Sequence, residues 1–172
     1  HTKNTRTPFS IDFGVGDVIV PKQEKRKIPT QLNDFSSPMI NTYSLETTIA
    51  EKIDAILSLM EFSSRMKDYY DIYYLANKFD FDGKILVDAL KRTFANREHN
   101  FTVEQFEQVM SFDADDLMQR KWKAFIKKID AKTDDFSKVI NTIDDFLRFP
   151  IETALNGTNF LMQWKASSNI WE

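Results

Sequence analysis

The segment from residue 43 to residue 75 constrains this chain most, because it combines helical patterns with charges at positions where amphipathic helices carry apolar residues. In its first part, apolar residues recur every three or four positions, which places them on one face of a helix. Ser44 precedes this pattern and is a favourable N-cap. The apolar stripe consists of Leu45, Ile49, Ile53, Ile56, Leu57 and Met60.

Lys52 lies at the edge of this stripe. At about 100° per residue, its side chain projects between those of Leu45 and Ile56. By the same count, Glu51 and Asp54 point away from the apolar face. We therefore expect Lys52 to differ from an ordinary surface lysine.

A second helix is predicted to begin near Arg65, after a break at residues 62–64. Arg65 and Asp68 share one face with Ile72, at spacings of three and four. Asp71 lies one turn beyond Asp68. Aromatic residues cover nearly all other directions, which predicts an enclosed helix rather than a half-solvated one; they are Tyr69, Tyr70, Tyr73 and Tyr74.

These charges are expected to pair, because burying an unpaired charge is costly. If the two helices form an antiparallel hairpin, Lys52 and Arg65 lie near two carboxylates, those of Asp68 and Asp71. Two interpretations stay open. Either the ion pairs only fix the register of the helices, or Lys52 belongs to a polar site at the end of the hairpin and binds an anion such as phosphate.

The composition is that of a folded protein without a generally basic surface. The chain has 172 residues, of which 42% are hydrophobic, and a formal net charge of -3. This charge argues against a basic nucleic-acid coat, although a local cluster is able to contact phosphate: Lys22, Lys25, Arg26 and Lys27. Without cysteine there is no disulfide framework and no thiolate metal site. No apolar run reaches membrane-spanning length and no signal peptide is visible, so we expect a soluble, cytoplasmic protein without a membrane partner.

The N-terminal region has a strand pattern. Residues 9–15 alternate between apolar and polar or small side chains, and the apolar run at residues 18–20 ends at a proline. One strand, or a tight hairpin through residues 14–17, is predicted. Residues 22–41 contain two prolines and many polar groups, and we expect a long connection with one short extended piece.

The rest of the chain is predicted to be helical, with further helices over residues 82–94, 102–110, 113–129 and 136–150. Thr102 and Gln105 form a capping box at the start of the second of these. Pro150 is expected to end the last one. The tail is less regular, and its two tryptophans, Trp164 and Trp171, are interpreted as packing anchors rather than as stacking platforms for bases.

These elements predict an α+β fold that is predominantly α-helical. One strand or hairpin near the N-terminus is followed by about six helices in a bundle-like array. We assign residues 1–42 to the strand or hairpin and its connection, and residues 43–172 to a helical domain that carries the charged motifs.

Three other patterns have simpler explanations than a functional site. The Gly14-Val15-Gly16 segment lacks the third glycine and the helix start of a dinucleotide loop, so we interpret it as a turn. His1 and His99 are too few and too far apart for a zinc site. Solvation and helix dipoles explain the acidic pairs at helix starts and on polar faces: Asp115-Asp116, Asp134-Asp135 and Asp144-Asp145.

The charged motifs occur in a combination that is typical of one protein family. They are Tyr43-x-x-Glu46, Ala50-Glu51-Lys52, Arg65-Met66-Lys67-Asp68-Tyr69-Tyr70-Asp71 and Thr93-Phe94-x-x-Arg97, preceded by the segment at residues 11–18. With these motifs the chain resembles the nucleotidyltransferases of the AbiEii/AbiGii toxin family over residues 9–97. Beyond about residue 100 the likeness is only that of a helical C-terminal region.

This resemblance implies a polymerase-β-like nucleotidyltransferase fold, often the toxin of a bacterial toxin–antitoxin or phage-exclusion (abortive infection) pair. Such a protein transfers a nucleotide from an NTP to an acceptor, which is tRNA for some members; a tRNA-like RNA or a protein is the acceptor expected here. A cognate antitoxin protein is the expected partner. Mg²⁺ is the implied cofactor, with Asp12 as the strand carboxylate near the metal.

The resemblance also implies roles for the charged residues of the two helices. Lys52, Arg65 and Lys67 would contact the nucleotide phosphates, and a lysine suits a phosphate as a flexible point charge. Asp68 or Asp71 would be the acidic partner that positions Lys52. A cation at this place offsets charge on the leaving pyrophosphate.

The chain departs from the family pattern at its first motif. None of its four glycines precedes a serine, and the paired strand aspartates of that motif are absent from the sequence. Asp12 alone cannot hold two metal ions. We therefore expect the chain to be the C-terminal part of a longer enzyme whose N-terminal half carries the main metal ligands, and to be inactive by itself.

A hypothesis from a different class remains open. The chain would then be a non-catalytic relative whose helical region binds a partner such as an antitoxin, while the charged cluster only holds helix register. A gene for a small DNA-binding regulator immediately upstream favours the toxin. A parent gene without the Gly-Ser and Asp-x-Asp coding sequence favours the non-catalytic relative.

Overall fold

The computed structural model describes residue 16, residues 18–62 and residues 65–172, without the side chains of residues 24 and 61. Six α-helices lie within these residues: α1 (Leu45–Leu59), α2 (Met66–Lys78), α3 (Gly83–Asn96), α4 (Val103–Met110), α5 (Asp116–Ile129) and α6 (Phe136–Asn156). Five short strands accompany them: β1 (Glu24–Lys27), β2 (Met39–Thr42), β3 (Phe81–Asp82), β4 (Gln163–Lys165) and β5 (Ile170–Trp171). The predicted fold class, α+β and mostly helical, is confirmed. None of the described helices has both the length and the apolar character that crossing a bilayer requires.

The core lies around α1 and α6. Both helices pack against α2, α3 and α4, and the fully buried side chains of this core include Ile49 and Ile53 from α1 and Ile143 and Leu147 from α6. Burying such a side chain contributes roughly 1.5–3 kcal/mol relative to leaving it exposed. Because α1 has neighbours on more than one side, its buried surface is wider than one apolar stripe.

The helix starts follow the capping rules. The Ser44 hydroxyl accepts a hydrogen bond from a backbone N–H in the first turn of α1, and Thr102 and Gln105 form the predicted capping box of α4. Asp115 and Asp135, one from each of two acidic pairs, cap α5 and α6 in the same way. Their positions agree with the helix-dipole interpretation of these pairs.

A two-stranded hairpin lies near the N-terminus, after the residues for which a strand was predicted. Residues 1–15 and 17, which hold most of the predicted strand together with Asp12, are outside the described residues, and residues 18–20 are not in a strand. The hairpin is formed by β1 and β2, with Lys25 opposite Asn41 in antiparallel register. It occupies the segment that we predicted to be a connection.

Both strands of this hairpin lack a buried face, which explains why the strand pattern is missing. Met39 is 59% exposed and Ile40 is 45% exposed, although their side chains point to opposite faces of the ribbon. Alternation in a sequence arises when one face of a strand is buried. Here neither face is, and backbone pairing defines the ribbon, including the hydrogen bond from the Ile28 N–H to the Pro38 carbonyl at 3.0 Å.

The prediction that Pro150 ends the last helix is wrong, since α6 continues to Asn156. A proline has no N–H, so the carbonyl of Phe146, four residues earlier, loses its helical donor. The indole Nε1–H of Trp171 donates to this carbonyl oxygen at 3.1 Å. The tail thus replaces the hydrogen bond that the proline removes.

The tail contributes β4 and β5 to a small antiparallel sheet, in which β4 pairs with β3. Trp164 is fully buried, with its ring 4.9 Å from that of Phe146 and 5.5 Å from that of Trp171. Its indole N–H donates to the Ala76 carbonyl at 2.7 Å. The interpretation of Trp164 and Trp171 as packing anchors is confirmed.

Candidate functional site

The ammonium group of Lys52 lies between two carboxylates of α2. Its Nζ is 3.0 Å from Asp68 Oδ1 and 2.6 Å from Asp71 Oδ2, and the lysine side chain is 17% exposed. α1 carries the lysine and α2 carries both acids one turn apart, so helix packing brings them together. The predicted proximity of these three residues is confirmed.

Each of the two carboxylates has a second, more exposed cation beside it. Arg65 Nε lies 2.7 Å from Asp68 Oδ2, and Lys67 Nζ lies 2.7 Å from Asp71 Oδ2. Asp68 Oδ2 is buried and accepts no aligned hydrogen bond from the described residues, so its contact with Arg65 is an ion pair only. The cluster contains three cations and two anions.

Lys52 is held in its charged form. Burial by itself lowers the pKa of an ammonium group, but the hydrogen bonds and charges of Asp71 and Asp68 outweigh it, and the pKa of Lys52 is raised above its usual value. At neutral pH the ammonium group is protonated. An ammonium group has three N–H donors, and the two carboxylates account for two of them.

The helix that carries these acids is not enclosed, contrary to the sequence prediction. Tyr69 is fully buried beside Asp68, but Tyr74 is 50% exposed, and Lys67 and Asn77 face solvent. Tyrosine has an apolar ring and a polar tip, so four tyrosines do not require a buried helix. The prediction from these tyrosines overestimated how much of α2 is buried.

Asp54 is part of the site region, although the sequence gave no sign of this. It points away from the apolar stripe, as expected, yet it is only 1% exposed. Arg97 Nη1 lies 2.9 Å from its Oδ2, and His99 Nδ1 lies 2.8 Å from its Oδ1. Thr47 and Ala50 are buried on the same side of α1, which shows that the helix has a second buried face.

The group of Asp54, His99 and Ser58 is not a nucleophilic triad. Ser58 Oγ lies 3.3 Å from His99 Nδ1, the same nitrogen that contacts Asp54. In a triad the acid and the nucleophile face different nitrogens of the imidazole. The Ser58 hydroxyl also donates to the backbone carbonyl of Asp54, one turn earlier in the same helix, at 2.8 Å, so its proton is already engaged.

A cavity of about 210 Å³ joins the two charged groups. Three cationic side chains line it, those of Lys52, Arg65 and Arg97, and Asp68 forms part of its wall. Its other lining residues are Tyr43, Thr48, Glu51 and Ala55. Arg97 was identified from the sequence only as part of the Thr93-Phe94-x-x-Arg97 motif, without a role. The structure places Arg97 at the same cavity as Lys52.

A larger cavity of about 830 Å³ lies elsewhere, between residues 19–22, the first turns of α3 and residues 158–161. The predicted site residues of α1 and α2 do not line it, whereas Lys22 of the predicted basic cluster does. Four cationic side chains line it, those of Lys22, Lys84, Lys91 and Arg92, together with two carboxylates, so neither size nor charge alone marks the site. The smaller cavity is distinguished by the motif residues that line it: Lys52, Arg65, Asp68 and Arg97.

The described residues do not fit a bound Mg²⁺. Among residues 16, 18–62 and 65–172, no three His, Asp or Glu side chains lie close enough together to hold a metal ion. Asp68 and Asp71 are occupied by cations, which compete with a metal for the same oxygens. Asp12, the predicted metal ligand, is outside the described residues.

Together the fold and the pocket define a helical domain with a small cavity, lined by three cationic side chains and by the carboxylates of Glu51 and Asp68. The family model of the nucleotidyl transferase AbiEii toxin, from type IV toxin–antitoxin systems, matches residues 2–148. The chain therefore belongs to this family, whose toxins act with an antitoxin partner. The resemblance is confirmed and extends past residue 97, through α4 and α5 and into α6. No curated protein and no solved structure matches the chain.

Proposed function

We propose that this chain is the helical part of a toxin that transfers a nucleotide from an NTP to an RNA acceptor, tRNA-like in form, and that the Lys52 cavity receives the phosphate groups. The observation that carries this proposal is the set of three cationic side chains, Lys52, Arg65 and Arg97, around one cavity in a nucleotidyl transferase family member. Charge-assisted hydrogen bonds to phosphate oxygens are strong and directional.

The size of the cavity limits what it binds. Sites for whole small molecules usually measure about 300–1,000 Å³, and this one measures about 210 Å³. It therefore suits the phosphate groups and not the base and sugar. We propose that the nucleoside, together with Mg²⁺, is held by residues outside the described part, Asp12 among them, and that the chain by itself is inactive.

The roles of the site residues follow from their contacts. We assign Lys52 to the phosphates, because its ammonium group keeps a third donor after its two carboxylate contacts. Asp68 and Asp71 fix the position of that ammonium group. Arg65 lines the cavity and contacts phosphate, whereas Lys67 does not line it and acts by pairing with Asp71. When the pyrophosphate leaves, Lys52 offsets its added charge.

Titration calorimetry with inorganic triphosphate and with each NTP tests this proposal. Wild-type protein is expected to bind triphosphate, and Lys52→Met to bind it at least about tenfold more weakly, since a charged hydrogen-bond donor is lost. Lys67→Met is the matched control, because it removes a lysine from the same cluster outside the cavity. Absence of triphosphate binding by the wild type, or equal losses in the two variants, contradicts the proposal.

Nucleotide transfer is measured separately, with labelled NTP, Mg²⁺ and total RNA. We expect no labelled RNA from this chain alone, and labelled RNA when the parent with the Gly-Ser and Asp-x-Asp motif is used. The nucleotide that gives the strongest label identifies the substrate. Label in protein instead of RNA identifies a polypeptide as the acceptor.

One observation favours the second candidate, a non-catalytic antitoxin-binding module. The Lys52 ammonium group is neutralised by Asp68 and Asp71 without any ligand, as a purely structural network requires. The hairpin meanwhile exposes large apolar side chains that suit a protein partner: Leu32, Phe35 and Met39, each 59–60% exposed. Under this candidate, Phe35→Ser abolishes binding of the antitoxin encoded by the adjacent gene, while triphosphate does not bind.

A further inference from the structure

Asp54 occupies an unusual position for a carboxylate. It lies on α1 two residues after Lys52 and is 1% exposed, and its ion-pair partner Arg97 lines the cavity. A buried ionised carboxylate is strongly unfavourable unless it is paired and hydrogen-bonded. Its two oxygens are each taken by a different donor, Arg97 Nη1 and His99 Nδ1.

Both donors come from the C-terminal end of α3. Arg97 is the C-cap residue of that helix, and Glu98 then adopts a left-handed φ of 56°, which turns the chain so that His99 returns to the same carboxylate. Since a carboxylate only accepts hydrogen bonds, the His99 proton that faces it sits on Nδ1. Asp54 therefore anchors the point where α3 ends.

Arg97 is the only one of these residues that lines the cavity. Its side chain is 33% exposed, and its guanidinium group has five N–H donors, of which Asp54 engages Nη1. The other donors are available to a ligand that enters from the open side. A long, flexible arginine that is anchored at one nitrogen loses less conformational freedom when it binds.

We infer that Asp54 is a positioning residue, which acts through Arg97 to hold the guanidinium group at the phosphate-binding cavity. This inference rests on the proposed function. The cavity then has two cations in fixed positions. Lys52 is fixed by two carboxylates, and Arg97 is fixed by one buried carboxylate. Asp54 itself touches no phosphate.

A double-mutant cycle on triphosphate affinity separates positioning from general structural support. Asp54→Asn keeps the shape of the side chain and removes its charge, and we expect triphosphate binding about tenfold weaker, the size of one charged hydrogen bond. Arg97→Ala is expected to weaken binding by at least as much. In the Arg97→Ala background, Asp54→Asn is expected to cause no further loss. Binding is measured by calorimetry at a temperature at which every variant is folded.

Arg92→Ala is the control for loss of an arginine from α3. Arg92 pairs with Asp88 on the surface and does not line the cavity, so its replacement is expected to leave triphosphate affinity unchanged. If Asp54→Asn or Arg97→Ala does not fold, Asp54→Glu and Arg97→Lys take their places, because they keep the charges and shift their positions.

The outcomes are distinguishable. If the wild type does not bind triphosphate, the proposed function and this inference both fail. If the wild type binds and Arg97→Ala weakens binding while Asp54→Asn does not, the function stands and the positioning role of Asp54 is wrong. Equal losses from Asp54→Asn with and without Arg97 also overturn it, since Asp54 then acts by another route.

Discussion

Two charged groups are centred two residues apart on α1, and the charges at their centres have opposite signs. Lys52 is a cation between two carboxylates, whereas Asp54 is a carboxylate between two potential cations, Arg97 and His99. The Lys52 side chain is 17% exposed and opens onto the cavity, so we call the first group open. The Asp54 side chain is 1% exposed, so we call the second group closed. The Lys52 ammonium group keeps one donor for a ligand, so it is suited to binding. Both oxygens of Asp54 already accept hydrogen bonds, so Asp54 is suited to holding Arg97, whose remaining donors face the cavity.

The largest expected effect comes from the closed group. Arg97→Ala leaves the Asp54 carboxylate buried with His99 as its remaining partner, and we expect the free energy of unfolding to fall by about 3–4 kcal/mol. Urea denaturation of the variant and the wild type measures this. A loss below about 1 kcal/mol is typical of a surface pair, and would mean that solvent screens the Asp54–Arg97 pair.

The open group is expected to tolerate the loss of its central charge better. In Lys52→Met, Asp68 and Asp71 keep the partly exposed partners Arg65 and Lys67, so we expect a loss of about 1–2 kcal/mol, reduced by solvent screening. The same denaturation experiment provides the value. A loss equal to that of Arg97→Ala removes the distinction between the two groups.

The pH dependence of the open group has a definite sign. Because the pKa of Lys52 is raised in the folded state, its stabilising contribution is complete below the usual lysine pKa of about 10.4 and disappears as pH rises through the raised pKa. The difference in unfolding free energy between wild type and Lys52→Met is therefore expected to stay constant to about pH 10 and then shrink. Tyr73 also titrates at high pH, because burial and the hydrogen bond to Asp134 raise its pKa to about 12. Its contribution is the same in both proteins and cancels in this difference. A difference that grows with pH contradicts the assignment.

The smallest effect is expected at Tyr69, beside the open group, and it has the opposite sign. The Tyr69 hydroxyl is buried and has no hydrogen-bond partner among the described residues. Tyr69→Phe removes this unsatisfied group and keeps the ring, so we expect a gain in unfolding free energy of about 1 kcal/mol. A thermal melt detects it as a higher Tm. A lower Tm shows that the hydroxyl has a partner, such as a water molecule.

The open group was predictable from the sequence because its members follow a single period. Lys52 lies at the edge of one apolar stripe, and Asp68 and Asp71 are one turn apart on the next helix. Helical spacing and the cost of a buried charge were enough to bring them together. Spacing and charge left two interpretations of Lys52 open, register or anion binding, and the individual roles proposed at a phosphate came from the family resemblance.

The closed group was not predictable, because it depends on how α1 is surrounded. A single helix pattern shows one buried face, while Asp54 lies on a second face that exists only once another helix packs there. The sequence separation between Asp54 and its partners at residues 97–99 left no local signal. The β1–β2 hairpin escaped prediction for the opposite reason, because neither of its faces is buried.

The proline within α6 also has a consequence for when this helix is fully formed during synthesis. The carbonyl of Phe146 finds its donor in Trp171, so this helix cannot satisfy its own backbone until the polypeptide has been extended by a further twenty-five positions. While that stretch is still inside the ribosome, the final turns of α6 have a gap in their hydrogen bonding. Docking of β5 closes it, so a segment translated after α6 supports a helix in the centre of the core.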